Sequence, residues 1–173
     1  TYDGDAKWLR VMLETFRKHG SGYGKQVVTG ISEQCRKVRE VCGEFGVRFI
    51  PDEQASYIPN GYINQQYTKL TADKYLDESL ILFVDSDCVS IADHSPEDFL
   101  MDGKPLILHT KWDDVGDAQC WKRPTEIALG KSVHYEFMRR LPACYHRSTL
   151  VGLRDHIREF HGSLLYHLKA SAA

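Results

Sequence analysis

The sequence lacks any apolar run that approaches the roughly 20 residues of a membrane-spanning helix. It also lacks an excess of one charge, because 22 Lys and Arg residues stand against 24 Asp and Glu residues and the two kinds are interspersed. A chain without a basic patch has no field that gathers nucleic acid or anionic lipid. We therefore expect neither a nucleic-acid partner nor a membrane segment in this chain.

The sequence also lacks a paired-cysteine pattern. The five cysteines are an odd number and contain no C-x-x-C pair, which excludes the usual patterns of a disulfide framework or a zinc knuckle. Cys35 and Cys42 fall on the apolar side of a predicted helix and are typical of core residues. A reducing, cytoplasmic location is the expectation that follows.

What the sequence does have is the balance of an ordinary globular domain, with 42% hydrophobic and 27% charged residues in 173. A chain of this size can bury one continuous core, so we expect a single domain over residues 1–173. The opening stretch TYDGDAKWL is typical of a strand-to-helix turn, and no strand precedes it. We expect the domain to lack its first strand and its C-terminal end, with further domains in a larger polypeptide.

Strand patterns and helix patterns alternate along the first half of the chain. Apolar spacing predicts helices from about Asp5, from Ser32 and from Gly61, and short apolar runs predict strands at 26–31, 47–50 and 80–84. The first helix is predicted to bury the apolar set Trp8, Leu9, Met12, Leu13 and Phe16. This alternation predicts an α/β fold with a mainly parallel sheet, whose ligands bind at the carboxyl ends of the strands.

The second half of the chain has a less regular order of predicted elements. A short helix begins at Ser95, a strand covers 105–109, a short helix covers 133–140, and a long amphipathic helix covers 150–168. Between them, 112–131 is a polar stretch without a clear period, and loops of that length tend to be functional or mobile.

The most informative segment is the buried-strand pattern Leu80–Val84, which stops at Asp85-Ser86-Asp87. Two carboxylates one residue apart can both reach one ion if the turn curls. Their hard oxygen atoms suit Mg²⁺ or Mn²⁺, which keep coordination positions open for substrate phosphates. The alternative is that Asp85 and Asp87 only end the strand and turn the chain.

Two motifs carry a resemblance to a known family. The run FVDSDCV at 83–89 resembles the acidic D-x-D element of glycosyltransferases with the GT-A fold. The helix GYINQQYTKL at 61–70 resembles that of small transferases of bacteria and large DNA viruses, and the stretch at 135–142 is a further specific part of the resemblance. The resemblance covers most of the chain and implies a GT-A (Rossmann-like) three-layer sandwich with a mainly parallel central sheet.

The resemblance also implies which residues bind the donor. Residues 1 to about 90 would form the donor-nucleotide half and 91–173 the acceptor half. Thr1, Tyr2 and Asp3 fall where the family contacts uracil and ribose. One side of the third helix would line the donor pocket with Gln65, Gln66 and Lys69, the lysine meeting a phosphate or sugar oxygen.

By the same resemblance the aspartates are the metal-binding and catalytic residues. Asp87 would ligate Mn²⁺ or Mg²⁺ directly, Asp85 would touch the ribose or a metal-bound water, and Ser86 would lie with the nucleotide-binding residues. Many members take a further ligand from near the C-terminus, for which His161 and His167 are the candidates. The implied reaction moves a sugar from a nucleotide diphosphate-sugar, expected to be a UDP-sugar, to a hydroxyl of a glycan or glycoprotein.

The acceptor side is predicted from aromatic and acidic residues that suit a sugar. The loop 112–131 and the stretch 139–147 are the predicted wall, with Trp112, Asp113, Asp114, Asp117 and Trp121 as sugar contacts or, equally, as core and surface. Glu136 and Asp155 have the chemistry of a base, yet any helix carries such residues, and we assign the role to neither.

Two other functions remain open. ILFVDSDCV also resembles the first motif of haloacid-dehalogenase-like phosphohydrolases, with Asp85 as nucleophile and Asp87 as acid and base, and 105–110 imitates the second motif. That family places its nucleophile after the first strand of the core, whereas here three α/β steps precede Asp85. The third reading is a non-catalytic module that binds a nucleotide sugar through the same aspartates.

Overall fold

A computed structural model of the protein describes residues 1–32, 35–53, 58, 60–116, 119–137 and 141–171. These residues form six α-helices, which are α1 (Ala6–His19), α2 (Arg36–Phe45), α3 (Gly61–Leu70), α4 (Lys122–Leu129), α5 (Arg147–His161) and α6 (Leu164–Ser171). They also form eight short strands, which are β1 (Val27–Gly30), β2 (Arg48–Pro51), β3 (Leu80–Phe83), β4 (Leu100–Met101), β5 (Lys104–Pro105), β6 (Thr110–Lys111), β7 (Tyr135–Glu136) and β8 (Ala143–His146).

The N-terminal part is a β/α unit built on β1 and β2. The two strands are parallel, from Val27 opposite Arg48 to Gly30 opposite Pro51. Helices α1 and α2 pack together beside them and bury the core cluster Ala6, Leu9, Leu13, Val28, Cys35, Val38, Val41 and Cys42. The predicted core positions of Cys35 and Cys42 are thus confirmed, but Trp8 is 49% exposed and its predicted burial is wrong.

The second unit is built on β3, which pairs antiparallel with β8. Helix α5 follows β8 directly and covers the pair through the cluster Ala72, Ile81 and Leu150. A buried ion pair fixes this arrangement, because the Arg154 guanidinium on α5 binds both carboxylate oxygens of Asp73. Arg154 also donates to the Leu70 carbonyl at 2.8 Å, so one side chain ties α5 to the end of α3.

The second half of the chain departs from the predicted elements. The predicted strand 105–109 is wrong, since only Lys104–Pro105 and Thr110–Lys111 are extended in ladders and Leu108 is 65% exposed. In the predicted helix 133–140, Tyr135–Glu136 is a strand because it pairs with Thr110–Lys111, while 138–140 lie outside the described residues. The predicted helix 150–168 is divided at Gly162 into α5 and α6. The φ of Gly162 is 85°, a conformation that suits glycine.

The class of the fold is α/β, as the alternation of strands and helices predicted. The described strands form four two-stranded sheets, of which β1–β2 is parallel and the other three are antiparallel. Across the part of the chain that the structure describes, no helix combines the length and apolarity that crossing a membrane requires.

Candidate functional site

The carboxyl ends of β1 and β3 open onto a cavity of about 470 Å³, here called the strand-end cavity. The predicted binding residues that line it are Thr1, Tyr2, Gln65, Lys69, Asp85 and Ser86, together with Asp5 and Tyr62. Three separate segments of the chain therefore meet here, namely the N-terminal turn, one face of α3 and the turn after β3. This is the edge of an α/β fold at which ligands collect.

The turn after β3 is closed by a backbone hydrogen bond. The Cys88 N–H donates to the Asp85 carbonyl at 3.1 Å, which closes the four residues 85–88. Asp85 and Ser86 are half-buried and face the strand-end cavity, whereas Asp87 is exposed and lies outside its wall. The turn thus presents one carboxylate to the cavity and one to solvent.

Lys69 is the cationic partner of Asp85. Its Nζ lies 2.8 Å from Asp85 Oδ1, and the two side chains are only 16% and 29% exposed. A contact that is largely withdrawn from water is stronger than a surface ion pair, because less solvent screens it. The pair joins α3 to the end of β3 at the wall of the cavity.

Helix α3 sets the position of Lys69. It begins after Asn60, whose side-chain oxygen accepts from the N–H groups of Tyr62 and Ile63 at 3.0 and 3.2 Å. Gln65 and Lys69, four residues apart, share the face that lines the cavity. Gln66 is not in that wall, so of the two predicted glutamines only Gln65 is placed at the cavity.

The first three residues have different surroundings. Thr1 lines the cavity beside β1, and the Tyr2 ring is 54% exposed at the rim. The Asp3 carboxylate is turned away from the cavity and accepts from the Val38 N–H at 3.2 Å, in the first turn of α2. A carboxylate at this position stabilises the helix start, so Asp3 has a structural partner instead of the predicted place in the pocket.

Sequence reasoning missed a buried carboxylate beneath the site. Asp52 is 3% exposed, follows β2 directly, and accepts from the Thr68 hydroxyl of α3 at 2.8 Å. Burial raises the pKa of Tyr75 to about 12, and the neighbouring Asp52 carboxylate adds to the rise. Tyr75 in turn lines the strand-end cavity. The signal in the sequence was an aspartate placed after a strand, as Asp85 is.

An aromatic pair stands beside the cavity. The rings of Tyr62 and Trp121 stack with centroids 5.1 Å apart and planes 26° apart, and both side chains are partly exposed. Burial raises the pKa of Tyr62, and the nearby Cys120, Glu136 and Asp85 contribute to the rise. Trp121 of the loop 112–131 therefore packs against Tyr62, which is part of the cavity wall.

The sequence was compared with known protein families. A model of a family of unknown function, DUF6492, matches residues 1–169. The chain belongs to this family. No curated protein and no solved structure matches it. Since the family itself carries no assigned function, the function of this member must be argued from its site.

The other predicted acceptor residues of this DUF6492 member lie elsewhere. Trp112 is 3% exposed, so of the two alternatives left open for it the structure supports a place in the core. Asp113 and Asp114 are exposed, and Asp117 lies outside the described residues, as do Arg139 and Arg140 of the predicted wall. Arg147, at the end of that wall, donates to the backbone carbonyls of Asp73 and Leu76 and so has a structural role.

The candidates for an additional metal ligand are also apart from the cavity. The His161 ring bonds the Ala128 carbonyl at 3.1 Å and lies 4.7 Å from the His167 ring, and neither lines the cavity. Burial lowers the pKa of His167, and the His161 ring contributes. In the residues that the structure describes, no three His, Cys, Asp or Glu side chains converge on one point that would suit a metal ion.

Proposed function

We propose that this protein is a metal-dependent glycosyltransferase that takes its sugar from a nucleotide diphosphate-sugar, most readily a UDP-sugar. One observation carries the proposal. A half-buried Lys69–Asp85 pair stands at the wall of a cavity at the carboxyl ends of two strands, directly before a turn that presents a second carboxylate. An anionic ligand with a bound cation is a class that a lysine and a carboxylate at this edge suit.

The residues present fit a divalent ion of the kind that completes its shell with phosphate. Mg²⁺ and Mn²⁺ are held in such sites by one or two carboxylates and keep their other positions for water and phosphate oxygens. Asp85, at the cavity wall, would supply one such carboxylate, and the exposed Asp87 would supply a second by turning toward the cavity. The ion would neutralise charge that develops on the leaving diphosphate.

Lys69 has two roles in this proposal. Without ligand it neutralises Asp85 at 2.8 Å and keeps that carboxylate oriented toward the cavity. With a diphosphate in the cavity, the same ammonium group can donate to a phosphate oxygen, since lysine binds phosphate as a mobile point charge. Gln65, four residues earlier on the same face, would hydrogen-bond the ligand beside it.

The remaining wall would hold the nucleoside and the sugar. The exposed Tyr2 ring at the rim suits stacking on a pyrimidine, and Thr1 offers a hydroxyl within the cavity. The stacked Tyr62 and Trp121 present an aromatic surface for the apolar face of a sugar on the acceptor side. The fold that belongs with this proposal is a GT-A (Rossmann-like) three-layer sandwich in which β1–β2 and β3–β8 are parts of one mainly parallel sheet.

The experiment that tests the proposal is a thermal-shift screen with UDP-, GDP- and dTDP-sugars, each with Mn²⁺ and with a chelator. A ligand that binds only the folded state raises the melting temperature according to its concentration over its Kd. We expect a rise for UDP-sugars with Mn²⁺ and a smaller one with chelator. Equal shifts under both conditions would contradict the metal dependence.

Turnover separates the transferase from its two rivals. Release of UDP from a UDP-sugar, which rises when glycan acceptors are added, supports the transferase. Hydrolysis of simple phosphate esters that depends on Asp85 would instead support the phosphohydrolase. Tight binding of the nucleotide sugar without any turnover would support the third alternative, a non-catalytic binding module.

A further inference from the structure

Helix α4 begins directly after Trp121 and has no fully buried residue of its own to anchor it. Trp121 stacks on Tyr62 of α3, which lines the strand-end cavity. None of the eight residues of α4 is fully buried. Ala128 packs against the core cluster that includes Ile157, but a methyl group is a small apolar contact. We therefore expect polar contacts to determine where α4 lies.

Two histidines of α5 bind the other end of α4. The Nε2 atoms of His156 and His161 lie 3.0 and 3.1 Å from the Ala128 carbonyl oxygen. Each ring donates its Nε2–H, since a carbonyl oxygen only accepts. Carbonyl groups in the last turn of a helix have no partner within the helix, so groups from elsewhere must bond them. The Gly130 N–H bonds two other carbonyls of this turn, and the two imidazoles bond that of Ala128.

The histidines stand on a helix that is itself fixed. Arg154, also on α5, donates to the Leu70 carbonyl at the end of α3 and binds the buried Asp73. Helices α3 and α5 also share one core cluster. The three helices α3, α4 and α5 therefore contact one another in a ring, through the aromatic stack, the Ala128 carbonyl and Arg154. Removal of the two imidazoles would open this ring at α4 and leave the contact between α3 and α5 intact.

The length of α4 makes its histidine end matter for Trp121. A helix rises about 1.5 Å per residue, so about 10 Å of helix separate Trp121 from Ala128. A tilt of about 10° changes the place of one end relative to the other by roughly 2 Å. The rings of Trp121 and Tyr62 are 5.1 Å apart between centroids, and aromatic pairs lose their contact beyond about 7 Å. A small tilt of α4 is thus enough to open the stack.

We propose that His156 and His161 are positioning residues that hold Trp121 against Tyr62 through α4. The aromatic surface that the two stacked rings form is then in place before a ligand arrives. The inference rests on the proposed function in one respect, which is the assignment of this surface to the acceptor sugar. The dependence of the stack on the histidines follows from the hydrogen bonds alone.

Fluorine NMR of the full chain, labelled with fluorotryptophan, tests the positioning. The chain has three tryptophans, and Trp121→Phe identifies the signal of Trp121. In His156→Leu/His161→Leu we expect the Trp121 signal to shift and broaden, because the ring leaves its stack, whereas the other two signals stay unchanged. The single variants His156→Leu and His161→Leu each keep one donor, and they decide the test if the double variant does not fold.

Two further variants separate positioning from a general loss of structure. His156→Gln/His161→Gln keeps an N–H near the place of Nε2 and should restore most of the wild-type Trp121 signal. His19→Leu on α1 is the matched control, because its ring bonds Asp93 instead of α4. An unchanged Trp121 signal in a folded leucine variant overturns the proposal, and so does an equal change in His19→Leu.

Ligand binding tests the assignment of the surface to a sugar. Methyl β-galactoside, whose ring has an apolar face, is titrated against the Trp121 signal, and UDP with Mn²⁺ is titrated by calorimetry. Loss of both imidazoles should weaken binding of the sugar about fivefold to tenfold and that of UDP less than about twofold. Equal losses for both ligands overturn the sugar assignment. A wild-type chain that binds neither ligand overturns the proposed function, and the Trp121 signal then decides the positioning alone.

Discussion

The ammonium group of Lys69 lies 2.8 Å from Oδ1 of Asp85, with both side chains mostly withdrawn from water. The contact joins the last turn of α3 to the end of β3 at the wall of the strand-end cavity. Each partner holds the charge of the other in place. A ligand that carries both a cation and a phosphate can replace the contact with two new ones at once.

Lys69→Met should weaken binding of UDP by about tenfold, because a hydrogen bond to a charged group contributes roughly 1.5 kcal/mol. Isothermal titration with UDP and Mn²⁺ measures this change. Lys25→Met is the matched control, since Lys25 is 66% exposed and contacts Glu78 at 3.6 Å. Lys69→Arg keeps the charge and should retain most of the affinity. A loss in the Lys25 variant equal to that in Lys69→Met would count against the assigned role.

Asp87→Ala should remove the Mn²⁺-dependent part of nucleotide affinity and leave the metal-independent part. The reason is that Asp87 is exposed beside the cavity and free to supply an oxygen ligand without loss of a core contact. Titration of UDP with Mn²⁺ and with chelator separates the two parts. Asp93→Ala, at an aspartate that is 93% exposed, and Cys88→Ser should both behave as wild type. Unaltered Mn²⁺ dependence in Asp87→Ala would remove this residue from the metal site.

Arg154→Met should lower the free energy of unfolding by about 3 kcal/mol or more, because it leaves the Asp73 carboxylate, which is 5% exposed, without its cation. Urea unfolding followed by circular dichroism measures the loss. Arg158→Met on the same helix is the control, since its contact with Asp155 is between side chains that are 73% and 54% exposed. Such a surface pair contributes less than about 1 kcal/mol. Similar losses of unfolding free energy in the two variants would mean that an unpaired, buried Asp73 carboxylate destabilises the fold no more than a broken surface ion pair does.

Stability should fall in alkali between about pH 10 and pH 12. Burial raises the pKa of Tyr75 and of Tyr23 to about 12 in the folded protein, with help from Asp52 for the first and from Asp98 and Glu97 for the second. An unfolded tyrosine ionises near pH 10, so the unfolded state releases protons first and is favoured as the pH rises. The stabilisation is complete below about pH 10 and lost above about pH 12.

Urea unfolding at several pH values, with absorbance of the phenolate as a second signal, checks this pH dependence. Tyr75→Phe should flatten the fall over that range, because the phenylalanine has no proton to lose. Tyr166→Phe is the control, since Tyr166 is 70% exposed. An equally steep fall in Tyr75→Phe and in wild type would assign the alkaline loss to other groups.

Trp121→Ala should weaken binding of a UDP-sugar or acceptor glycan more than binding of UDP, because the stacked Tyr62 and Trp121 are the surface that we propose for the sugar, whereas Tyr2 is the one proposed for the base. Trp121→Phe keeps an aromatic face and should retain most of the affinity. Trp8→Ala is the control at an exposed tryptophan of α1. Equal effects on UDP and on the sugar ligands would place Trp121 with the nucleotide.

Local pattern was enough to predict the first half of the fold. Helix α3 begins at Gly61 and ends at Leu70, as its sequence indicated, because Asn60 caps it and its apolar residues repeat at helical spacing. The strand at Leu80 was marked by its unbroken apolar run. Both signals lie within the element itself, so neither depended on knowing its neighbours.

The second half depended on partners distant in sequence. Tyr135–Glu136 is extended because Thr110–Lys111 lies alongside, and β8 was missed because its partner is β3, far earlier in the chain. An apolar run also misled at 106–108, where exposed residues follow β5 instead of forming a buried strand. Pattern alone does not distinguish an apolar strand from an apolar surface.

The charged residues at the cavity could be predicted from the sequence, whereas the contacts of the residues around them could not. Asp85 and Lys69 were chosen from two separate motifs, and the structure brings them into contact. Asp52 was missed because its neighbours, Thr68 and Tyr75, identify it only in three dimensions. Asp3 was assigned to the pocket by the family resemblance, whereas in the structure its carboxylate accepts from the Val38 N–H at the start of α2.

The Asn60 cap has a consequence for the kind of ligand that the cavity can retain. A helix start often holds phosphate through its free N–H groups, but here the amides of Tyr62 and Ile63 are already bonded to the asparagine oxygen. Attraction for negative charge from α3 therefore rests on a side chain and not on the backbone. A neutral residue at position 69 would leave the Asp85 carboxylate without its cation, and the wall would then repel negatively charged molecules.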